Sequence, residues 1–139
     1  MEKSPFQFTN PILRALRMQR NEGFSVPPAG NLPVETHFSS HVERIPDPTS
    51  AIVSLTFRMG RTDNLFPFIL EAEMAAQFRW APETPNPTLD IWLSQNAPAL
   101  LLSYLRPIVA NTISATGFPP YNIPFMNFTE GHSAAKQHE

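Results

Sequence analysis

The sequence predicts an α+β domain, with four antiparallel strands first and one long helix after them. Three observations lead there. Residues 51–59 and 66–80 alternate apolar and polar side chains with the period of a strand. Residues 98–116 switch to helical spacing. Most of the 16 prolines fall outside these stretches, where they break the chain into loops.

Within residues 1–22, Ile12, Leu13 and Leu16 would fit one helical face. Ile12, Leu16 and Met18 against Arg14, Arg17 and Arg20 also fit a strand, which is the preferred reading. Residues 23–34 hold Pro27, Pro28 and Pro33 and read as a long loop. Residues 34–44 form a strand with Val34, Thr36, Phe38, Ser40 and Val42 on one face and a wet face opposite. Pro46, Asp47 and Pro48 make a turn.

Residues 51–59 and 66–80 then read as an antiparallel hairpin. In the second strand Phe66, Phe68, Leu70, Ala72, Met74, Ala76, Phe78 and Trp80 share a face, and Pro67 belongs at its start or at an edge. Thr88 can cap a short helix, and Asn96 a longer one with Pro98 in its first turn. Pro107 should kink the long helix and Gly117 should end it. Residues 118–128 are too proline-broken for regular structure. The expectation is a single domain over residues 1–128 and a disordered polar tail over 129–139.

The composition narrows the function. Of 139 residues, 42% are hydrophobic and 16% charged, against about 25% charged in an average soluble domain. A net charge of −2 argues against nucleic acid as a partner. The absence of cysteine excludes disulfides, a thiol nucleophile and Cys-based metal sites. No apolar run is long enough to span a membrane, and no signal-peptide core is seen, so a soluble, cytoplasmic protein is expected. The helix over 98–116 is apolar nearly all round, more than one sheet face can cover. Oligomerisation through that helix is the simplest outlet, with Leu101, Leu105, Ile108 and Thr112 at the interface.

No catalytic constellation emerges. His37 and His41 are four residues apart on a strand, about 13 Å, too far for one ion. They read as solvated histidines. Glu71 and Glu73 share a strand face and read as polar surface, with no nucleophile beside them. There is no Gly-rich phosphate loop and no Gly-x-Ser-x-Gly motif. The chain is expected to be no enzyme and to need no cofactor or metal. The aromatic loops carry more information. Phe24, Val26, Leu32, Tyr121, Ile123, Phe125 and Met126 sit in proline-rich segments, together with Phe118 and Phe128. They either fold down as core lids or line an apolar groove for extended polypeptide. A subunit of a larger particle is a third class that the apolar surface also fits.

Residues 98–128 carry a resemblance. Pro98-x-Leu100-Leu101, Tyr104-x-Arg106, Ile113, Gly117-Phe118-Pro119 and Ile123-Pro124-Phe125-Met126-Asn127-Phe128 resemble the SecB family of bacterial export chaperones. The order of four strands then a helix agrees, as does Phe24 followed by a proline-rich crossover loop. The resemblance implies a twisted four-stranded antiparallel sheet and a homotetramer built as a dimer of dimers. It implies an ATP-independent holdase for unfolded polypeptide, with client contacts at Phe24, Val26, Leu32, Tyr121, Ile123, Phe125 and Met126. The family continues with a second helix and a tail that engages the SecA motor, and is strongly acidic. Here that helix is missing, residues 129–139 are short and polar, and the charge is only −2. The resemblance therefore points to SecB-like chaperones dedicated to an antitoxin in a toxin–antitoxin system, with general export to SecA as the alternative.

Overall fold

The computed structural model describes residues 3–25, 34–61, 65–128 and 137–138. The elements in chain order are β1 (Gln7–Phe8), β2 (Ile12–Arg20), β3 (Glu35–Arg44), β4 (Ser50–Gly60), β5 (Phe68–Arg79), α1 (Asn86–Ile91), a π turn (Trp92–Asn96), α2 (Ala97–Ala115) and β6 (Gln137–His138).

The alternating residues form the centre of one antiparallel sheet. β4 and β5 pair from Ser50 opposite Arg79 to Gly60 opposite Ile69. Gly60 has φ +96, and a Cβ there would lie 2.0 Å from the Phe68 carbonyl oxygen, so only glycine fits this end of the hairpin. β3 flanks β4, with Phe38 opposite Phe57. β2 flanks β5, with Met18 opposite Leu70. The four predicted strands are all present, and Pro67 lies just before β5.

Two short strands add to them. β1 continues the β2 edge, pairing Gln7 with Arg79 and Phe8 with Phe78, and the chain leaves the ladder at Asn10 and Pro11. β6 pairs with Glu35 and Thr36 on the far edge. Strands of two residues are too short to show a period, which is why the sequence pattern does not reveal them.

Ordering this sheet depends on covering its apolar face. Val53, Leu55, Phe57, Leu70, Ala72 and Phe78 are at most 1% exposed beneath α2. From α2, Leu101, Leu105, Val109 and Ile113 meet them, each also at most 1% exposed. Trimming one such Leu or Ile to Ala costs about 2–5 kcal/mol. Leu101 and Leu105 therefore belong to the chain's own core and not to an interface with another chain. Their spacing repeats on the sheet-facing stripe, which the sequence could not distinguish from the outward one.

The helical run also corrects the expected caps. α1 starts at Asn86 after Pro85, so Thr88 lies inside it. Asn96 makes no capping bond and is itself helical, at φ −71 and ψ −41. α1, the π turn and α2 form one continuous run. Pro98 explains the wide turn. It has no N–H for the Ser94 carbonyl and its ring crowds that group. The backbone widens, and the Ala97 N–H reaches back to the Trp92 carbonyl. α2 runs on through Pro107 and ends at Gly117, which has φ +94 and donates its N–H to the Ser114 carbonyl.

Candidate functional site

The turn at Gly117 sends residues 118–128 back beside α2, and three contacts fix their path. Arg20 donates to the Thr116 carbonyl at 2.9 Å and stands 5.0 Å from the Phe118 ring centroid. Phe118 in turn lies 5.3 Å from Phe68. Arg106 Nε donates to the Ile123 carbonyl at 2.7 Å. Phe128 meets Phe38 edge-on at 6.1 Å and is 3% exposed. The segment thus covers the part of the sheet around β3 that α2 leaves bare.

Two of the aromatic-loop residues split from the rest here. Ile123 is 1% exposed and Phe128 3%, so both close the core. Ile123 is therefore not available to a client, which corrects the sequence expectation for it. Phe125 faces the other way and is 88% exposed. It is nevertheless held, because the Arg106 guanidinium lies 4.6 Å from its ring centroid. Ala99, Leu102, Ser103, Arg106, Phe125 and Met126 line a depression of about 80 Å³. Tyr121 is half-buried against the core cluster.

Phe24 lies elsewhere. It sits in a turn in which its N–H donates to the Asn21 carbonyl at 3.1 Å, just after β2. The Arg20–Thr116 bond places that end of β2 at the C-terminus of α2. Arg106 is ten residues back along the helix, about 15 Å away on its axis. The structure brings Phe125 and Met126 together and sets Phe24 apart from them. Val26 and Leu32 lie outside the described residues.

A second apolar surface escaped the sequence reading. Along the β1–β2 edge, Phe8, Ile12, Leu13 and Leu16 are 43%, 60%, 39% and 43% exposed. A groove of about 180 Å³ opens beside Ile12, between Thr9, Asn10, Arg14, Ile52, Ala75 and Gln77. The ladder shifts register between Leu13 and Ala15. That bulge interrupts the alternation of β2, and so hid the exposed set from pattern reading. Arg106 was also legible only as part of a motif, since its two contacts depend on the returning segment.

Polar groups elsewhere make ordinary surface pairs. Arg58 Nε meets Glu71 Oε2 at 3.0 Å and Arg14 meets Glu73 at 3.4 Å. His37 stands opposite Arg58 and His41 opposite Ser54 across the β3–β4 ladder. Among the described residues no helix is long and apolar enough to cross a membrane.

The family model described as preprotein translocase subunit SecB matches residues 23–139. The protein-export protein SecB of Nitrosomonas europaea is 30% identical over 86 residues, which is 62% of this chain and 52% of that protein. That of Burkholderia vietnamiensis is 27% identical over 95 residues, 68% of this chain and 59% of that protein. The match thus spans little more than half the length of these relatives. Among solved structures, the SecB-like chaperone Rv1957 of Mycobacterium tuberculosis, in complex with a ChAD peptide from the Rv1956 HigA1 antitoxin, superposes with a TM-score of 0.70. It is 17% identical, and the match covers 88% of this chain and 91% of that one.

Proposed function

This chain belongs to the SecB family, and from that premise we propose that it is an ATP-independent holdase that binds unfolded polypeptide through extended apolar segments. The observation that carries the reading is Phe125. A phenylalanine that is 88% exposed costs solubility and contributes little to the core, yet Arg106 holds it in place over an apolar depression. An exposed aromatic ring that is fixed before binding loses little freedom when a client covers it. Tyr121 and Met126 extend the surface, and Phe24 adds a separate contact near the C-terminal end of α2. Val26 and Leu32, which follow Phe24 in the sequence, complete the proposed client set.

We further propose a dedicated client, an antitoxin segment, and a homotetramer in the cytoplasm. The likeness in fold to a SecB-like chaperone bound to an antitoxin peptide supports the client class. The relatives that are protein-export proteins support the other reading, general protein export, which we would route through SecA. A pull-down from native cells, with the bound chains identified, separates the two. One antitoxin held in fixed ratio supports the dedicated role, and many unrelated precursors overturn it. The holdase reading itself fails if the purified chain does not slow the aggregation of any unfolded test protein. One fixed folded partner would then favour a structural subunit.

A further inference from the structure

Residues 3–9 precede the region that the family model matches, which begins at residue 23, yet they hold a specific aromatic site. Phe6 stacks on Phe78 at 5.2 Å, with the rings 19° from parallel. It stacks on Trp92 as well, at 5.0 Å and 28°. Phe8 leans on Phe78 too, at 6.1 Å. With these rings in place Phe78 is only 1% exposed. Trp92 opens the π turn, so the same backbone widening that accommodates Pro98 sets the position of this ring. Wide turns of this kind recur at functional sites.

The hold on the segment is slight. β1 offers two register pairs, and beyond them Thr9 N–H donates to the Gln77 carbonyl at 2.9 Å and Gln77 N–H to Thr9 Oγ1 at 3.2 Å. Pro11 then breaks the ladder, so β1 can leave without pulling β2 from the sheet. Phe8 remains 43% exposed. The segment Ser4-Pro5-Phe6-Gln7-Phe8-Thr9-Asn10 is uncharged, bends at Pro5 and Phe6, runs as a strand at Gln7 and Phe8, and carries its aromatic residues at alternate positions. That is the chemistry of an unfolded client strand.

We infer that Phe78 and Trp92, beside the β5 backbone groups that β1 pairs, form a polypeptide-binding site that residues 4–10 occupy in cis. An extended, uncharged client segment with alternate aromatic residues displaces them, its ring replacing Phe6 and its backbone replacing β1. This inference rests on the reading that the chain binds extended apolar segments, and it places a second, self-covered site away from Phe125.

The test uses a fluorescein-labelled heptapeptide, Ser-Pro-Phe-Gln-Phe-Thr-Asn, and anisotropy with the full chain. A tethered competitor acts at an effective concentration of about millimolar, so the wild type should bind the peptide poorly. Phe6→Ser should bind it about tenfold tighter or more, and adding Trp92→Ala should abolish that gain. Adding Phe125→Ser should leave the gain intact. The inference is overturned if folded Phe6→Ser binds no tighter than wild type, or if the gain survives Trp92→Ala or is lost with Phe125→Ser. Should Phe6→Ser fail to fold, Gln7→Cys with Arg79→Cys gives a second route, since the chain has no other cysteine and the two residues face each other in the ladder. The oxidised, locked form should bind the peptide about tenfold more weakly than the reduced form, and equal binding overturns the inference. Failure of the holdase reading shows separately, as wild type that leaves unfolded test proteins to aggregate.

Discussion

The guanidinium of Arg106 lies 4.6 Å from the ring centroid of Phe125 while its Nε holds the carbonyl of Ile123 at 2.7 Å. One side chain thereby fixes both the buried and the exposed parts of the returning segment. It is the only charged residue in α2. Arg106→Ala removes a charge-assisted hydrogen bond and a cation–π contact, and should lower stability by about 1–2 kcal/mol in a denaturant titration. Client binding should weaken several-fold in the same variant. Arg106→Lys keeps the charge but not the planar fork, and should fall between the two. If Arg106→Ala binds clients as well as wild type, Phe125 does not need to be held.

Phe125 and its neighbours should separate stability from binding. Phe125→Ser should leave unfolding free energy within about 0.5 kcal/mol of wild type, because the ring covers little of the core. It should also reduce capture of an unfolded test protein. Ile123→Ala and Phe128→Ala remove buried side chains and should cost about 2–5 kcal/mol. A large loss of stability in Phe125→Ser would make that residue a core lid after all.

These residues also mark where the sequence becomes illegible. The β4–β5 hairpin can be read directly, since a strict period of two is maintained over two runs. The stop at Gly117 can be read because glycine tolerates φ +94 there. Within 118–128, prolines destroy any period, so Ile123, Phe125 and Phe128 look alike although two are buried and one is exposed. α2 poses the same difficulty. Its pattern shows apolar residues nearly all round, but which stripe meets the sheet depends on where residues 118–128 come to rest. The π turn depends on how Pro98 relieves its clash, which no pattern in the sequence records.

The turn before β4 gives a pH signature. Asp47 accepts bonds from the Thr49 N–H at 3.0 Å, the Thr49 hydroxyl at 3.1 Å and the Ser50 hydroxyl at 3.0 Å. The backbone bond from Thr49 is the largest cause, and together with the two hydroxyls it holds the carboxyl below its ordinary value of 3.8. A lowered folded-state pKa means that the unfolded chain binds more protons, so stability rises with pH through this window. The contribution is complete above 3.8 and is lost as pH falls through the lower folded value. Asp47→Ala should therefore melt below wild type at neutral pH, by a gap that narrows as the solution is acidified past 3.8. A gap that stays constant through acid would mean that the charge of Asp47 is immaterial to the turn.

The outward side of α2 should decide assembly. Leu101 and Leu105 are 0% exposed within one chain, whereas Tyr104 is 41% exposed and Ile108 and Thr112 are half-buried. That outward stripe has no charge, and a solvated helix face normally carries several. Four copies of a 15.6 kDa chain would scatter light as about 62 kDa. Ile108→Glu or Tyr104→Glu should lower that mass while leaving the circular dichroism and the melting cooperativity of each chain intact. Leu101→Glu should instead unfold the chain, because a carboxylate forced among Val53, Leu55 and Leu70 has no partner. The contrast between the two positions is what makes the test specific to the interface, since a merely unstable helix would fail at both. A tetramer that survives Ile108→Glu would move the contact to the other uncovered apolar surface, the β2 edge at Ile12 and Leu16. A wild type that scatters as a single chain at micromolar concentration would remove the assembly altogether, and the bare stripe on α2 would then join Phe125 as surface open to clients.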